Sequence, residues 1–119
     1  NPSKQKGTSF ETLIRDYLVS KGFPKAHRTA LSGGHDTGDI NGIVNLHTDA
    51  EVAVQCKNQK KFNLSGWLDA TVEQAERLDN AVPLLVVKRP GKGAHSLDDT
   101  YAVMRLCDVV SLLKEANYV

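Results

Sequence analysis

The chain has 119 residues, enough for one domain that buries a real core and no more. Its hydrophobic share of 40%, charged share of 24% and net charge of +1 are those of an ordinary globular protein. Two cysteines far apart exclude a disulfide framework or a cysteine-rich metal site. With neither a signal peptide nor a long apolar run, the chain reads as a soluble intracellular protein.

The polar start, Asn1–Gly7, reads as disordered, leaving residues 1–6 as a tail and 7–119 as one domain. Phe10, Leu13, Ile14, Tyr17 and Leu18 follow one helical face, with Thr8 and Glu11 as a capping box and Gly22 as the stop. Lys25–Leu31 reads as a short strand and Ser32-Gly33-Gly34 as a turn. A second strand carries Ile40, Ile43, Val44 and Leu46, with Asn41-Gly42 as a bulge or bend. After a turn at Thr48-Asp49, a third strand sends Val52, Val54 and Cys56 toward a core. Leu64–Asn80 reads as a helix with Leu68, Val72, Ala75 and Leu78 on its apolar stripe and Asn63 or Ser65 as cap. Val82–Lys88 is apolar and β-branched, the pattern of a strand covered on both faces. A loop from Pro90 to Asp99, an edge strand Tyr101–Arg105 and a helix Cys107–Ala116 complete the order.

Charge is unevenly spread. Residues 1–28 hold six Lys or Arg against two acidic residues, a balance of +4. Leu31–Gln55 contains no Lys or Arg, yet holds Asp36, Asp39, Asp49 and Glu51. Lys57, Lys60 and Lys61 follow, then Lys88, Arg89 and Lys92. An acidic pocket rimmed by basic segments suits a cation at its centre and a polyanion around it. Side chains alternate along a strand, so Gln55 and Lys57 share a side, roughly 6.5 Å apart, with the next strand about 4.8 Å away. If the strand opening at Asp39 pairs with the one ending at Lys57, oxygen ligands and an ammonium converge, as a hard divalent cation and a phosphate require. Glu51 is roughly 13 Å along the strand from Gln55, too far to share one ion. Asp36 lies in the preceding loop, within swinging distance of the site. Cys56 and Cys107 read as buried small hydrophobes, and Trp67 and Phe62 as core or dimer-interface residues.

The order αβββαβ followed by βα, with this motif on its second and third strands, resembles the PD-(D/E)XK nuclease superfamily. Within it the chain is most similar to archaeal-type Holliday junction resolvases, from about Lys6 to near Asn80. The matching pieces are KGTSFETLIRDYLVSKGF, RTALSGG, GDI, VQCK and WLDATVEQAERL. Two positions depart from the pattern: Gly38 replaces the usual Pro before the metal Asp, and Gln55 replaces the Glu of E-x-K. A Gln keeps a carbonyl oxygen for Mg²⁺ and loses one negative charge.

The resemblance implies an α/β fold, a restriction-endonuclease-like mixed β-sheet flanked by helices. It implies a metal-dependent DNA endonuclease with Glu11, Asp39, Gln55 and Lys57 as catalytic residues. Mg²⁺, or Mn²⁺ in its place, would be held by Asp39, Gln55, the Cys56 carbonyl and Glu11. The ion would polarise a phosphate oxygen and acidify water, and Lys57 would stabilise charge at the phosphate. Lys6, Arg15, Arg28, Ser32, Lys60, Lys61, Arg89 and Lys92 would contact DNA. The implied substrate is a four-way junction or other branched DNA, cut by a homodimer in recombination or repair. The implied place is the cytoplasm beside the nucleoid, without a membrane, from a cellular or phage genome. Two other readings stand beside this one: a restriction, homing or repair nuclease on duplex DNA, and a catalytically dead nucleic-acid-binding module of the same fold.

Overall fold

A computed structural model describes residues 2–30 and 36–119, without the side chains of Ser3, Lys4 and Thr8. The elements are α1 (Pro2–Ser20), β1 (His27–Arg28), β2 (Ile40–Val44), β3 (Glu51–Lys57), α2 (Leu64–Glu76), β4 (Ala81–Val87), β5 (Tyr101–Val103) and α3 (Leu106–Glu115). A kinked 3₁₀ segment, Ala94–Asp99, lies between β4 and β5. The strands form one sheet in the order β1-β2-β3-β4-β5. β3 and β4 run parallel, joined by α2, and every other pair is antiparallel. This is the mixed, helix-flanked sheet of a restriction-endonuclease-like fold.

Two apolar layers hold the helices to the sheet. On one face, Phe10 and Ile14 of α1 pack with Ala26, Ile40, Val54, Cys56 and Val86. On the other, Trp67 of α2 packs with Leu85 and Val87. β4 therefore sends alternate residues to opposite layers, as its unbroken apolar sequence requires.

Helix α1 starts at Pro2, so the stretch expected as a tail is helical and Thr8 lies inside the helix rather than at its cap. A Thr-x-x-Glu pattern also occurs within helices, and Pro suits a first helical position. The other end is where the sequence places it. Phe23 N donates to Leu18 O and Gly22 N to Val19 O, the paired bonds of a Schellman turn.

Strand β1 is shorter than the expected Lys25–Leu31: among the described residues it covers His27 and Arg28, which pair with Asn41 and Ile40, and Leu31 and the expected turn Ser32-Gly33-Gly34 lie outside the described residues. The face of α2 is also turned from the expected stripe. Trp67, Thr71, Gln74 and Ala75 are buried, and Leu68, Val72 and Leu78 flank them. Thr71 Oγ1 donates to Trp67 O at 2.7 Å and Gln74 Nε2 donates to Asp36, while Gln74 Oε1 is buried without a partner among the described residues.

The expected irregularity at Asn41-Gly42 is present. Ile40 pairs with Val54 and Ile43 with Val52, so two residues on β2, Asn41 and Gly42, oppose one on β3, Ala53. Gly42 has φ +96°, and a Cβ there would press on the Lys25 carbonyl and His27 Nδ1. Only glycine fits where the chain ahead of β1 crosses so closely. The freed Gly42 N–H donates to Glu51 Oε1 at 3.1 Å, which assigns Glu51 to the bulge. Of the two cysteines, Cys56 is buried as expected and Cys107 is exposed, because α3 rests only lightly on the body.

Candidate active site

Asp39 stands immediately before β2, where the ladder with β3 runs out. Its N–H donates to Val54 O at 2.7 Å, and its own carbonyl accepts from Thr29 N at 2.9 Å. Two residues further along β3, the Cys56 N–H needs an acceptor that β2 no longer supplies. The Asp39 carboxylate provides it: Cys56 N donates to Oδ2 at 2.9 Å. Asp39 Oδ1 has no hydrogen-bond partner among the described residues. A strand residue directs its N–H and C=O to the same side, so the Cys56 carbonyl also points to the side of Asp39.

The approach to Asp39 is held by α2. Asp36 Oδ1 accepts from Gly38 N at 2.9 Å, Asp36 Oδ2 accepts from Gln74 Nε2 at 2.8 Å, and Asp36 O accepts from Arg77 at 2.7 Å. Asp36 is therefore a tether engaged at both oxygens, not a carboxylate within reach of an ion at Asp39. Gly38 then takes φ +107° and packs against the Val54 backbone. A proline, with φ fixed near −65°, cannot adopt that geometry, so this chain enters its motif differently from the Pro-Asp pattern. Gln74 and Arg77 escape sequence reading because a helix-borne Gln or Arg looks like a surface residue. The one available signal is that Gln74 falls at helical spacing from Trp67 and Thr71.

Asp39, Glu11, Gln55, Cys56 and Lys57 all line one cleft of about 670 Å³, with Lys6, Asn58, Gln59, Lys60 and Lys61 around it. Gln55 and Lys57 share the α2 side of β3, opposite Leu85 and Val87 in register. Gln55 Oε1 is buried and has no hydrogen-bond partner among the described residues. Gln74 Oε1 is also buried without a partner among the described residues, but it lies away from the cleft lining; Gln55 Oε1, at the cleft, is the one placed to accept from a ligand there. The Lys57 ammonium lies 5.9 Å from the centre of the Trp67 ring.

Electrostatics fit the same picture. Burial pushes the Asp39 carboxyl above its ordinary value; the Cys56 N–H opposes this, Asp36 adds to it, and Lys57 and Arg28 oppose it. Burial also raises the Glu11 carboxyl, with the Asp39 charge adding and Arg28 opposing. The Cys56 thiol is pushed well up by burial, then by Asp39 and Glu11, so it stays a neutral core group. Two carboxyls raised by burial and a partnerless amide oxygen thus line one cleft, and hard oxygen donors of this kind are those that divalent cations such as Mg²⁺ or Mn²⁺ take. Among the described residues no three His, Cys, Asp or Glu side chains gather. That result is consistent with a site that uses an amide and a main-chain carbonyl.

The expected DNA contacts divide by position. Lys6, Lys60 and Lys61 line the cleft. Arg28 faces Glu11 at 3.8 Å and donates to Thr12 Oγ1, which sets it to orient Glu11. Arg89 stacks over Tyr101 at 5.6 Å. Arg15 pairs with Asp16 at 2.9 Å and Lys92 with Asp99 at 3.5 Å, both away from the cleft lining. Ser32 lies outside the described residues.

A mixed five-stranded sheet with helices on both faces, an Asp at the head of its second strand and Gln-Cys-Lys at the end of its third, defines a PD-(D/E)XK-type nuclease fold. Residues 2–118 match the family model described as "Phage putative PDDEXK endonuclease", and the chain belongs to that family. Comparison with the curated proteins and with the solved structures yields no match. Nucleases of this class generally use divalent metals. No helix among the described residues is long and apolar enough to cross a membrane.

Proposed function

We propose that this protein is a divalent-metal-dependent endonuclease that hydrolyses phosphodiester bonds in branched DNA, four-way junctions foremost, and acts as a homodimer. The observation that carries the reading is the buried, unpartnered Gln55 Oε1 in the cleft that also holds Asp39 and Lys57. What supports a working site over a dead binding module is that this free acceptor lies in the same cleft as a buried carboxylate and a lysine, the groups phosphodiester hydrolysis uses.

Asp39, Gln55 Oε1 and the Cys56 carbonyl would hold Mg²⁺ or Mn²⁺, with Glu11 beside them. When bound, the ion supplies Lewis acidity toward the phosphate and acidifies water. The chain supplies the rest. The Cys56 N–H fixes one Asp39 oxygen and leaves the other free. Arg28 restrains Glu11. Lys57 offsets the negative charge that builds on the phosphate oxygens in the transition state. Lys6, Lys60 and Lys61 would grip backbone phosphates, contacts that position DNA by its shape rather than its base sequence.

Support for a homodimer comes from α3. Leu106, Val110 and Leu113 are exposed at 77%, 42% and 44% and share one stripe, whereas Asp108 on the other side is mostly covered. An apolar stripe turned outward is suited to self-association, and two symmetric cuts in a junction need a two-fold assembly.

The test incubates the full chain with a synthetic four-way junction and a linear duplex, with Mg²⁺, with Mn²⁺ and with a chelator. The reading expects paired, metal-dependent nicks in the junction that vanish in Asp39→Ala. Cutting of the duplex alone would reassign the substrate. Binding without cutting at any concentration of either metal would reassign the protein as a binding module.

A further inference from the structure

A lysine at the end of a strand has four freely rotating bonds, and a charge placed by such a stem is poorly aimed unless something fixes it. In this chain the fixing surface is aromatic. Lys57 closes β3, and its ammonium lies 5.9 Å from the centre of the Trp67 ring, at the limit where a cation is attracted to an indole face. Lys57 also lines the cleft that holds Asp39 and Gln55, so the ring-facing ammonium stands at the site.

The ring is itself immobilised. Trp67 is 8% exposed and packs on Leu85 and Val87, the β4 partners of Gln55 and Lys57. Asn63 caps α2 through a side-chain bond to Gly66 N, and Asn63 O accepts from Trp67 N at 2.9 Å. Phe62 stands against the ring at 5.9 Å and 55°, and is met in turn by Tyr101 edge-on at 6.3 Å. This brace ties the end of β3, the start of α2 and edge strand β5 together at one point. A core role alone would be met by any large apolar side chain. The placement of the lysine requires a ring face.

We infer that Trp67 is the positioning residue for Lys57: its indole face sets where the lysine charge stands at the cleft. The inference deepens the nuclease reading and rests on it for the consequence in cleavage, though not for the contact itself. Trp67 is the chain's one tryptophan, so the intrinsic emission of the protein reports this contact directly.

The experiment has two arms on the full chain. In the first, emission of the metal-free protein is compared with that of Lys57→Met and of Lys61→Met. A change in emission wavelength or intensity is expected for Lys57→Met only. In the second, single-turnover cleavage of a four-way junction at saturating Mg²⁺ is compared for Trp67→Phe and Trp67→Leu. Trp67→Phe keeps a ring face and should stay within about threefold of the parent. Trp67→Leu should lose roughly tenfold in rate, with the half-saturating Mg²⁺ concentration unchanged.

Unchanged emission in Lys57→Met overturns the inference, and that half-buried strand-end variant does not depend on a core substitution folding. Equal rates for Trp67→Leu and the parent overturn it as well. Equal losses in Phe and Leu variants, with the Mg²⁺ requirement raised in both, would reduce Trp67 to a packing residue and also overturn it. Failure of the parent itself to cleave any DNA would instead overturn the nuclease reading, leaving the emission arm to decide whether the charge rests on the ring.

Discussion

Changing Gln55 to Glu restores the charge that the PD-(D/E)XK pattern expects, and the structure fixes what this should do with and without metal. In the parent, Gln55 Oε1 is a buried acceptor without a partner, beside two carboxyls already raised by burial and, for Glu11, by the charge of Asp39. In a chelator at neutral pH, a third carboxylate in that cleft adds repulsion of about 1–2 kcal/mol. For a domain of 119 residues this is a fall in Tm of roughly 4–8 °C. A divalent ion cancels the repulsion, so the same energy returns as affinity, tightening metal binding roughly 5- to 30-fold. Melting curves in chelator and in saturating Mg²⁺, with calorimetric titration of the metal, measure both halves. The gap between loaded and metal-free Tm should widen by the amount lost in chelator. A variant that melts like the parent in chelator and binds Mg²⁺ no more tightly would refute the assignment of Oε1 as a ligand.

Asp39→Asn keeps an acceptor for the Cys56 N–H and removes the charge, so cleavage should drop at least about 100-fold, measured on a junction substrate. Its effect on metal-free stability depends on pH. A carboxyl raised in the folded state favours folding below its unfolded pKa and loses that contribution as pH rises through the folded value. Urea titrations in chelator should therefore find Asp39→Asn gaining on the parent as pH rises from about 3.5 to 7. A gain that grows with acid would contradict the crowded-carboxylate picture. Gly42→Ala forces a Cβ against the Lys25 carbonyl and His27 at a positive φ, at a cost of about 3 kcal/mol or roughly 12 °C in Tm. A parent-like Tm by calorimetry would rule out the bulge geometry. Native protein should present one fast thiol to a colorimetric disulfide reagent, Cys107, and release Cys56 only on unfolding. Two fast thiols would place Cys56 outside the core.

Much of this architecture is written in local pattern. β4 is recognisable because an apolar β-branched run has to be covered twice, and it does feed both layers. The bulge is recognisable because Asn-Gly interrupts the alternation between Ile40 and Ile43, and the register shifts there. The Gly22 stop is recognisable because the hydrophobic period ends at it. What escapes is set by contacts distant in sequence. Asp36 looks free to move until Gln74 and Arg77, some 40 positions on, are seen to hold it. The buried face of α2 departs from its most apolar stripe because Thr71 and Gln74 find partners that composition does not reveal. Cys107 stands in an apolar-rich helix between Leu106 and Asp108, yet it is exposed because α3 buries none of its residues. At the site, Asp39, Gln55 and Lys57 are legible as a spacing, whereas the bracing of Lys57 by Trp67 requires the β3–α2 junction to be seen in space.

The central claim is that a divalent ion is held by Asp39, Gln55 Oε1 and the Cys56 carbonyl. Anomalous scattering at the manganese edge from a crystal of the full chain equilibrated with Mn²⁺ tests it most directly. A peak within about 2.5 Å of those three oxygens is the predicted result. A manganese ion bound elsewhere, or a Gln55 amide turned away and hydrogen-bonded within the protein, would contradict it.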